Sequence, residues 1–360
     1  MAMQRWEQGS EFHRPPTPDY AGQAGLASDD AGASAWRQDA TFWMSGRAAL
    51  RAILTQHRDP KRLWVPSNFC QKVLGDLMDL GVALKLYPDT PLEPMAGPDL
   101  TGIEGSDIVL VSNTFGLRVQ SWSPPEGAVV IEDHTHDPLS PWALSSKADW
   151  CFASLRKWFP VPAGGVAWSP KRRTLAIGAC SEAEESAATE KLTSMVLKGL
   201  YLNGNAVDKD DYRRLSLGSE DGLGAARGAA PSWLVALLRS FPTDRWREAR
   251  AANLLVLEQA LSPVSGVTLL RPSDDAAAFS AVLVLESAAE RDSLRHALIR
   301  DQIYPAILWE LDDPAVTDIS ERDLELSRCI LSVHCDMRYD SDDMKRVAQT
   351  ITDLAMGRAA

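Results

Sequence analysis

Hydrophobic positions along the chain follow two different periods. Short continuous apolar runs such as Ile108-Val109-Leu110-Val111 are typical of strands buried on both faces of a sheet. Between these runs lie helical patterns, and one of them begins at Ser45-Gly46-Arg47. Alternating strands and helices need crossover connections, so the pattern predicts an α/β fold with a mostly parallel sheet.

Six apolar runs predict the strands of a large domain over residues 41–235. They cover residues 63–65, 82–87, 107–112, 128–131, 150–154 and 165–168. A helical pattern over residues 73–80 ends at Gly81. Residues 215–231 are rich in Gly, Ala and Ser and predict a long loop. We expect this domain to have three layers, with helices on both faces of the sheet.

The rest of the chain predicts two smaller parts. A long helix is expected over residues 243–261, and further strands and helices over residues 278–356 indicate a small C-terminal α+β domain spanning 236–360. Residues 1–40 are polar, and Pro15, Pro16 and Pro18 disfavour regular structure. This segment is predicted to be an N-terminal arm.

Composition and charge exclude several classes of partner. The formal net charge of −12 argues against nucleic acid and anionic membranes as main partners. No apolar run approaches the length of a membrane span, and the N-terminus lacks the pattern of a secretory signal. The five cysteines include no C-x-x-C pair, which favours reduced thiols. We therefore predict a cytoplasmic protein.

Two charged residues follow apolar strands in a way that suits a cofactor. The run Val129-Val130-Ile131-Glu132-Asp133 ends in carboxylates, and Ser154-Leu155-Arg156-Lys157 follows the next apolar run. A crossover of this length can bring Asp133 and Lys157 to one edge of a sheet. A lysine that forms an imine and an aspartate that pairs with a pyridine nitrogen together suit pyridoxal 5'-phosphate (PLP). Alone, the aspartate could be a helix cap and the lysine a solvated side chain.

A phosphate site is also conceivable at the first helix. Ser45 and Gly46 precede or begin it, and a helix N-terminus offers backbone N–H groups to a phosphate. The alternative is that Ser45 is an ordinary N-cap. The sequence alone leaves both interpretations open.

The order of these motifs resembles the DegT/DnrJ aminotransferase family. The resemblance rests on Ser45-Gly46-Arg47-Ala48-Ala49-Leu50, Val65-Pro66-Ser67-Asn68-Phe69-Cys70, Ile131-Glu132-Asp133-His134-Thr135-His136, and Ser154-Leu155-Arg156-Lys157 before Gly164-Gly165. It spans about residues 40–355 and includes Ile330-Leu331-Ser332-Val333-His334 near the end. That family consists of fold type I PLP enzymes, many of which aminate keto sugars carried on nucleotides. It implies an aspartate-aminotransferase-like large domain with a seven-stranded sheet, and a homodimer.

The resemblance also implies a role for particular residues. Lys157 matches the Schiff-base lysine, and Asp133 matches the partner of the pyridine nitrogen. His136 matches a polar residue near the ring hydroxyl of the cofactor. Phe69, or alternatively Cys70, matches the group that stacks on the ring. The residues matched to phosphate binding are Ser45, Gly46, Arg47 and Ser154.

The implied reaction is transfer of an amino group from an amino acid donor to a carbonyl acceptor. A nucleotide-linked keto sugar is one acceptor that the resemblance suggests. Position in loops nominates four residues for contact with the acceptor: Arg118, Arg213, Trp309 and Arg338. No metal is expected in this interpretation.

Two other functions remain open from the sequence. His134 and His136 with Asp133 form a His-x-His pattern found in metal-dependent hydrolases, although few further histidines follow. The Asn-Tyr-Arg segment that a neighbouring subunit supplies in the resembling family is not recognisable here. This departure favours a third hypothesis, a non-catalytic regulator or scaffold that retains the fold.

Overall fold

The computed structural model describes residues 5–14, 36–57, 62–93, 97–119, 126–273, 276–308, 310–312 and 315–356. Its strands are β1 Gln8–Gly9, β2 Thr41–Trp43, β3 Arg62–Pro66, β4 Ala83–Tyr87, β5 Ile108–Ser112, β6 Val129–Asp133, β7 Trp150–Ser154, β8 Gly165–Trp168, β9 Val267–Leu269, β10 Ala281–Leu285, β11 Ile303–Tyr304 and β12 Ile330–Val333. Its α-helices are α1 Gly46–Gln56, α2 Gln71–Gly75, α3 Pro141–Ser145, α4 Glu182–Leu202, α5 Lys209–Ala225, α6 Ser232–Arg239, α7 Thr243–Leu261, α8 Ala288–Arg300, α9 Glu321–Cys329 and α10 Ser341–Met356.

Seven strands form the main sheet, in the order β2-β8-β7-β6-β5-β3-β4. Strands β6, β5, β3 and β4 pair in parallel. Strand β8 runs antiparallel to both of its neighbours, β2 and β7. All five residues of β5 are buried, as continuous apolar strands require. The predicted α/β fold with a mostly parallel, seven-stranded sheet is confirmed.

The chain divides into two compact units, each built from separate stretches of sequence. The first contains residues 1–6, 11–58 and 146–245, with strands β2, β7 and β8 and helices α1, α4, α5 and α6. The second contains residues 7–10, 59–145 and 246–360, with strands β3 to β6 and the C-terminal elements. The domain division into residues 1–40, 41–235 and 236–360 stays a prediction.

The C-terminal part of the second unit contains two small sheets. Strands β12, β10 and β9 form one antiparallel sheet. Strand β1 pairs in parallel with β11, so that Gln8 lies opposite Ile303. Gln8 is fully buried there. A short stretch of the segment predicted as an arm is therefore an integral strand of this unit.

The loop predicted over residues 215–231 is wrong up to residue 225, because helix α5 continues to Ala225. A Cβ on Gly222 would lie 2.9 Å from the Cβ of Ala187 on helix α4. The small residues that suggested a loop thus allow α4 and α5 to pack closely. Glycine lowers helix propensity by about 1 kcal/mol, and interhelical packing compensates for that loss here.

Serine side chains begin several helices. Ser45 caps α1 by accepting a hydrogen bond from the N–H of Ala48. Ser181 caps α4 in a reciprocal capping box with Glu184. These interactions satisfy N–H groups that have no partner within the helix. They explain why each helix begins at that residue.

None of the described helices combines the length and the apolar character needed to cross a membrane. The five cysteines are all described, and none of them forms a disulfide. The expectation of reduced thiols therefore agrees with the structure.

Candidate functional site

The predicted cofactor-binding residues fall into two groups, one in each compact unit. Ser45, Gly46, Arg47, Ser154 and Lys157 belong to the first unit. Phe69, Asp133 and His136 belong to the second.

In the first unit, the start of helix α1 lies directly against the end of strand β7. A Cβ on Gly46 would be 2.9 Å from the Cα, Cβ and N of Ser154. Any larger residue at position 46 would therefore push the helix away from the strand. The structure thus brings together the residues predicted to bind phosphate, at a helix N-terminus whose first N–H groups lack intrahelical acceptors.

The two glycines that follow Lys157 hold this arrangement together. A Cβ on Gly165 would lie 2.2 Å from the carbonyl carbon of Ser45. Gly164 has φ of 131°, a conformation that L side chains rarely adopt. Its N–H donates to the carbonyl of Met44 at 2.8 Å, and its carbonyl accepts from the N–H of Leu155 at 3.0 Å. Both glycines are required to join the start of α1 to the turn that bears Lys157.

Ser45 has a definite local role. Its hydroxyl accepts the N–H of Ala48 at 3.1 Å, so it is an N-cap, as one of the two interpretations of the sequence proposed. This leaves the backbone of the first turn, together with Ser154, as the groups best suited to an anion. Gly46 is the residue that permits their close approach.

Lys157 ends a single turn of 3-10 helix, Leu155–Lys157, directly after β7. Leu155 is fully buried and anchors this turn, whereas Lys157 is exposed. Trp158 and Phe159, which follow Lys157, are both buried in the core of the unit.

The charge of the neighbouring Arg156 is compensated. Its Nη1 and Nη2 donate to Oε2 and Oε1 of Glu220 at 3.1 and 2.5 Å. Burial by itself raises the pKa of Glu220, but hydrogen bonds and positive charge from Arg156 and Lys191 lower it to about 2. The positive charge of Arg156 is therefore paired with a carboxylate.

In the second unit, Asp133 ends strand β6 with its side chain 8% exposed. One carboxylate oxygen accepts the N–H of Thr135 at 2.8 Å, which closes an Asx-type turn. The backbone carbonyl of Asp133 accepts from Asn113, the residue after β5. Asp133 is thus held rigidly at the carboxyl end of a parallel strand, where ligands of α/β proteins bind.

His136 is fixed by the loop after β5. Its Nδ1 accepts the N–H of Phe115 at 3.1 Å, and the two rings stack at 6.1 Å with an interplanar angle of 22°. Phe115 has φ of 58° and Gly116 has φ of 70°. A Cβ on Gly116 would lie 2.7 Å from the carbonyl oxygen of His136. The hydrogen bond to Nδ1 and the stacking fix the orientation of the His136 ring.

Phe69 is buried in the turn after β3, and its N–H bonds to the carbonyl of Pro66. Cys70, the second candidate for ring stacking, precedes helix α2 without capping it. Among the described residues, Oδ1 and Nδ2 of Asn68 have no hydrogen-bond partner. The same holds for Nδ2 of Asn113. Buried amides that lack partners are expensive, so these two side chains are suited to a polar ligand.

The residues of the alternative metal site, Asp133, His134 and His136, contact different partners. His134 is fully buried, and its Nε2 lies 2.9 Å from Oε2 of Glu132. His136 Nδ1 is occupied by Phe115, as described above. Among the described residues, no group of three ligand atoms within 4.8 Å includes Asp133 or His136. The arrangement does not favour a hydrolase metal site built on Asp133, His134 and His136.

The arginines nominated for acceptor binding are largely committed elsewhere. Arg118 forms a buried bidentate pair with Asp89, at 2.9 and 2.5 Å. Arg338 forms a similar pair with Asp336, at 2.8 Å for each hydrogen bond. Arg213 is exposed on α5, and Trp309 lies outside the described residues. Arg118 and Arg338 therefore have structural roles in the second unit.

Sequence reasoning missed two residues that contact the predicted site. Phe115 stacks on His136. The sequence signal for Phe115 was the pair Phe115-Gly116, which comes shortly after the apolar strand β5. Glu220 pairs with Arg156 across 64 positions of sequence. No local pattern identifies such a distant partner.

Each unit holds residues that fit a part of PLP. The first unit offers a helix N-terminus and a serine to a phosphate, beside a lysine. The second offers a carboxylate, an imidazole and buried aromatic rings. These are the groups that PLP needs for its phosphate, its aldehyde and its pyridine ring.

Comparisons with known proteins identify the fold. No family model matches the chain, and no curated protein matches it in sequence. The structure is similar to the aminotransferase TlmJ from Streptoalloteichus hindustanus, with a TM-score of 0.61 and 14% identity over 99% of this chain and 100% of that one. It also resembles the PLP form of Spr1654 from Streptococcus pneumoniae, with a TM-score of 0.58 and 13% identity over 98% and 99% of the two chains.

A third match is the sugar aminotransferase CalS13 from Micromonospora echinospora, with a TM-score of 0.54 and 14% identity over 96% of this chain and 93% of that one. This chain has the fold of PLP-dependent aminotransferases. Because all three identities are low, the comparisons establish the fold and leave the reaction to be argued from the residues.

Proposed function

We propose that this protein is a PLP-dependent aminotransferase whose cofactor forms a Schiff base with Lys157. The observation that carries the proposal is the packing of Gly46 against Ser154. It sets the N-terminus of α1, which suits a phosphate, beside the turn that ends in Lys157. The similarity to aminotransferase structures over nearly the whole chain supports the same conclusion.

Each residue has a separate task in this proposal. Gly46, Arg47 and Ser154 hold the phosphate, with Ser45 ordering the helix start. Asp133 would pair with the protonated ring nitrogen, and its Asx-type turn fixes the carboxylate for that purpose. His136 contacts the ring hydroxyl, and Phe69 contacts the face of the ring.

Bound PLP supplies an electron sink for the reaction. The protein would move the proton: Lys157 Nζ would take a proton from the α-carbon of the amino donor as a general base and later return it as a general acid. The donor is an amino acid and the acceptor a carbonyl compound, with a keto sugar as the proposed class. CalS13, a sugar aminotransferase of the same fold, supports that class.

The proposal includes a cytoplasmic homodimer. Lys157 is exposed in the single chain, although a lysine that forms an imine functions best when it is desolvated. A second subunit and the cofactor would provide the missing cover. Sedimentation equilibrium at micromolar concentration tests this, since a monomer would contradict it.

An absorbance spectrum with added PLP tests the proposed function. We expect a visible band that borohydride bleaches, and we expect the variant Lys157→Ala to lack it. Lys147→Ala is the matched control, because Lys147 is exposed in the same unit and should leave the band unchanged. A wild-type protein that shows no band in excess PLP would refute the proposal and favour a non-catalytic role for the fold.

A further inference from the structure

Four charged side chains of the first unit form a line that ends at Arg156, the residue before Lys157 in the sequence. Arg156 donates two hydrogen bonds to Glu220, at 3.1 and 2.5 Å. The Nζ of Lys191 lies 2.7 Å from Oε1 of Glu220 and 2.9 Å from Oε2 of Glu11. The charges alternate along the line, so each one has a partner of opposite sign.

The centre of the line is nearly dehydrated. Lys191 is 4% exposed, and its Nζ also lies 2.6 Å from Oγ of Ser216. Ser216 in turn donates to Oε2 of Glu11 at 2.6 Å. Removing an ammonium from water costs several kcal/mol unless it is paired and hydrogen-bonded. Because Lys191 has three oxygen partners, the pair with Glu220 is a fixed contact and differs from a fluctuating surface ion pair.

The line connects four separate stretches of the chain. Arg156 is in the turn after β7, Lys191 is on α4, and Glu220 and Ser216 are on α5. Glu11 is in the N-terminal segment. Its backbone carbonyl also accepts a hydrogen bond from Lys198 Nζ at 2.6 Å. The charged groups in contact with Glu220 are Arg156 and Lys191, and Glu11 contacts Lys191 from the other side.

We propose that Glu220 is a positioning residue: it holds the turn that carries Lys157 and neutralises the charge of Arg156 beside it. The inference rests on the proposed function, because its consequence concerns the Schiff base on Lys157. Arg156 and Lys157 are adjacent in one turn, so an unpaired guanidinium would oppose a proton on the nitrogen of residue 157. With Glu220 in place, Arg156 and Glu220 together are close to neutral.

The test is the pH dependence of the absorbance band of the PLP-loaded protein. In Glu220→Gln, Arg156 keeps its charge and loses its carboxylate partner. We expect the band to persist and the midpoint of its pH titration to move to lower pH by about 0.5 pH unit or more. Asp221→Asn is the matched control, since Asp221 is the next residue of α5 and is exposed. Its midpoint should equal that of the wild type.

Two further variants separate charge from structural damage. Arg156→Met removes the positive charge and leaves Glu220 paired with Lys191, so its midpoint should move to higher pH. The double variant Arg156→Met and Glu220→Gln removes both charges and should return the midpoint towards the wild-type value. A merely structural role would not give shifts of opposite sign that cancel. If Glu220→Gln does not fold, Arg156→Met and the double variant still decide the question.

Unchanged midpoints in Glu220→Gln and Arg156→Met, with the band present, would overturn the role of Glu220 while leaving the proposed function intact. A wild-type protein with no band would overturn both. A band in the wild type that survives Lys157→Ala would contradict the proposed function and, with it, the proposed role of Glu220 beside Lys157.

Discussion

Gly46 and Ser154 approach each other so closely that a Cβ on residue 46 would lie 2.9 Å from the Cα of Ser154. Real Cβ atoms do not tolerate such a contact with backbone, so one of the two segments would have to move. The contact joins the start of a helix to the end of a strand, and both segments carry residues proposed to hold a phosphate. Glycine at position 46 is therefore a requirement of the site as well as of the fold.

Substitutions at the two glycines of this contact should be costly. Gly165→Ala would place a Cβ 2.2 Å from the backbone of Ser45, and we expect it to lower the free energy of unfolding by roughly 3 kcal/mol or more. Gly46→Ala should be milder in stability, at about 1–3 kcal/mol, and should weaken PLP binding. Urea denaturation and a PLP titration measure these effects.

The control for both glycine variants is Gly178→Ala. An added Cβ there meets no atom within 4 Å, and φ is not in the left-handed region. We expect its stability to lie within about 0.5 kcal/mol of the wild type. Equal stability of all three variants would show that the close packing around Ser45 is not real.

The sequence predicted much of the local structure around Gly46. The helix start at Ser45-Gly46-Arg47 and the glycines after Lys157 were recognisable because local backbone requirements determine those residues. The partner of Arg156 was not, because Glu220 lies on a helix whose glycines indicated a loop.

The sheet was predictable for a related physical reason. Strands such as β5 and β6 are apolar on both faces, and only a sheet covered on both sides accommodates them. Strand β2, with three residues, and β1, with two, are too short to show a period. Their places in the structure follow from long-range pairing that no window of sequence contains.

The buried pair of Asp89 and Arg118 should contribute strongly to the stability of the second unit. Both side chains are at most 5% exposed, so Asp89→Asn would leave the arginine charge uncompensated. We expect a loss of about 3–5 kcal/mol in the free energy of unfolding. The control is Glu93→Gln, which breaks the exposed pair with Arg322 and should change stability by less than about 1 kcal/mol. If Asp89→Asn lowered the free energy of unfolding by less than about 1 kcal/mol, as expected for the control, that result would contradict the buried pair.

Asp107 should make stability depend on pH. Burial alone raises the pKa of this carboxyl, but hydrogen bonds from Arg62, the N–H of Glu104 and Trp64 bring it below the usual 3.8. A lowered folded pKa adds stability that is present above pH 3.8 and is lost as pH falls through the folded value. Asp107→Asn should therefore be less stable than the wild type at pH 7, and the difference should shrink below about pH 3.8.

Urea denaturation at pH 7 and pH 3 measures that difference. Glu104→Gln is the control, because Glu104 also faces Arg62 but is 65% exposed. It should change stability little at either pH. The difference in free energy of unfolding between Asp107→Asn and the wild type could instead be the same at both pH values. That result would argue against an ionised, hydrogen-bonded Asp107.

His136 should matter for both stability and cofactor binding. His136→Phe removes the acceptor of the buried Phe115 N–H, which costs about 1–3 kcal/mol. It also removes the imidazole proposed to contact the ring hydroxyl, so PLP should bind more weakly. His296→Phe, at an exposed position on α8, is the control and should alter neither. Wild-type PLP affinity in His136→Phe would remove this residue from the site.

The most direct test of the central claim is to locate the cofactor on the chain. The protein is loaded with PLP, reduced with borohydride, digested and analysed by peptide mass spectrometry. We predict one modified peptide, with the phosphopyridoxyl group on Lys157. A modification on another lysine, or none in the reduced protein, would contradict the assignment of Lys157 as the Schiff-base residue.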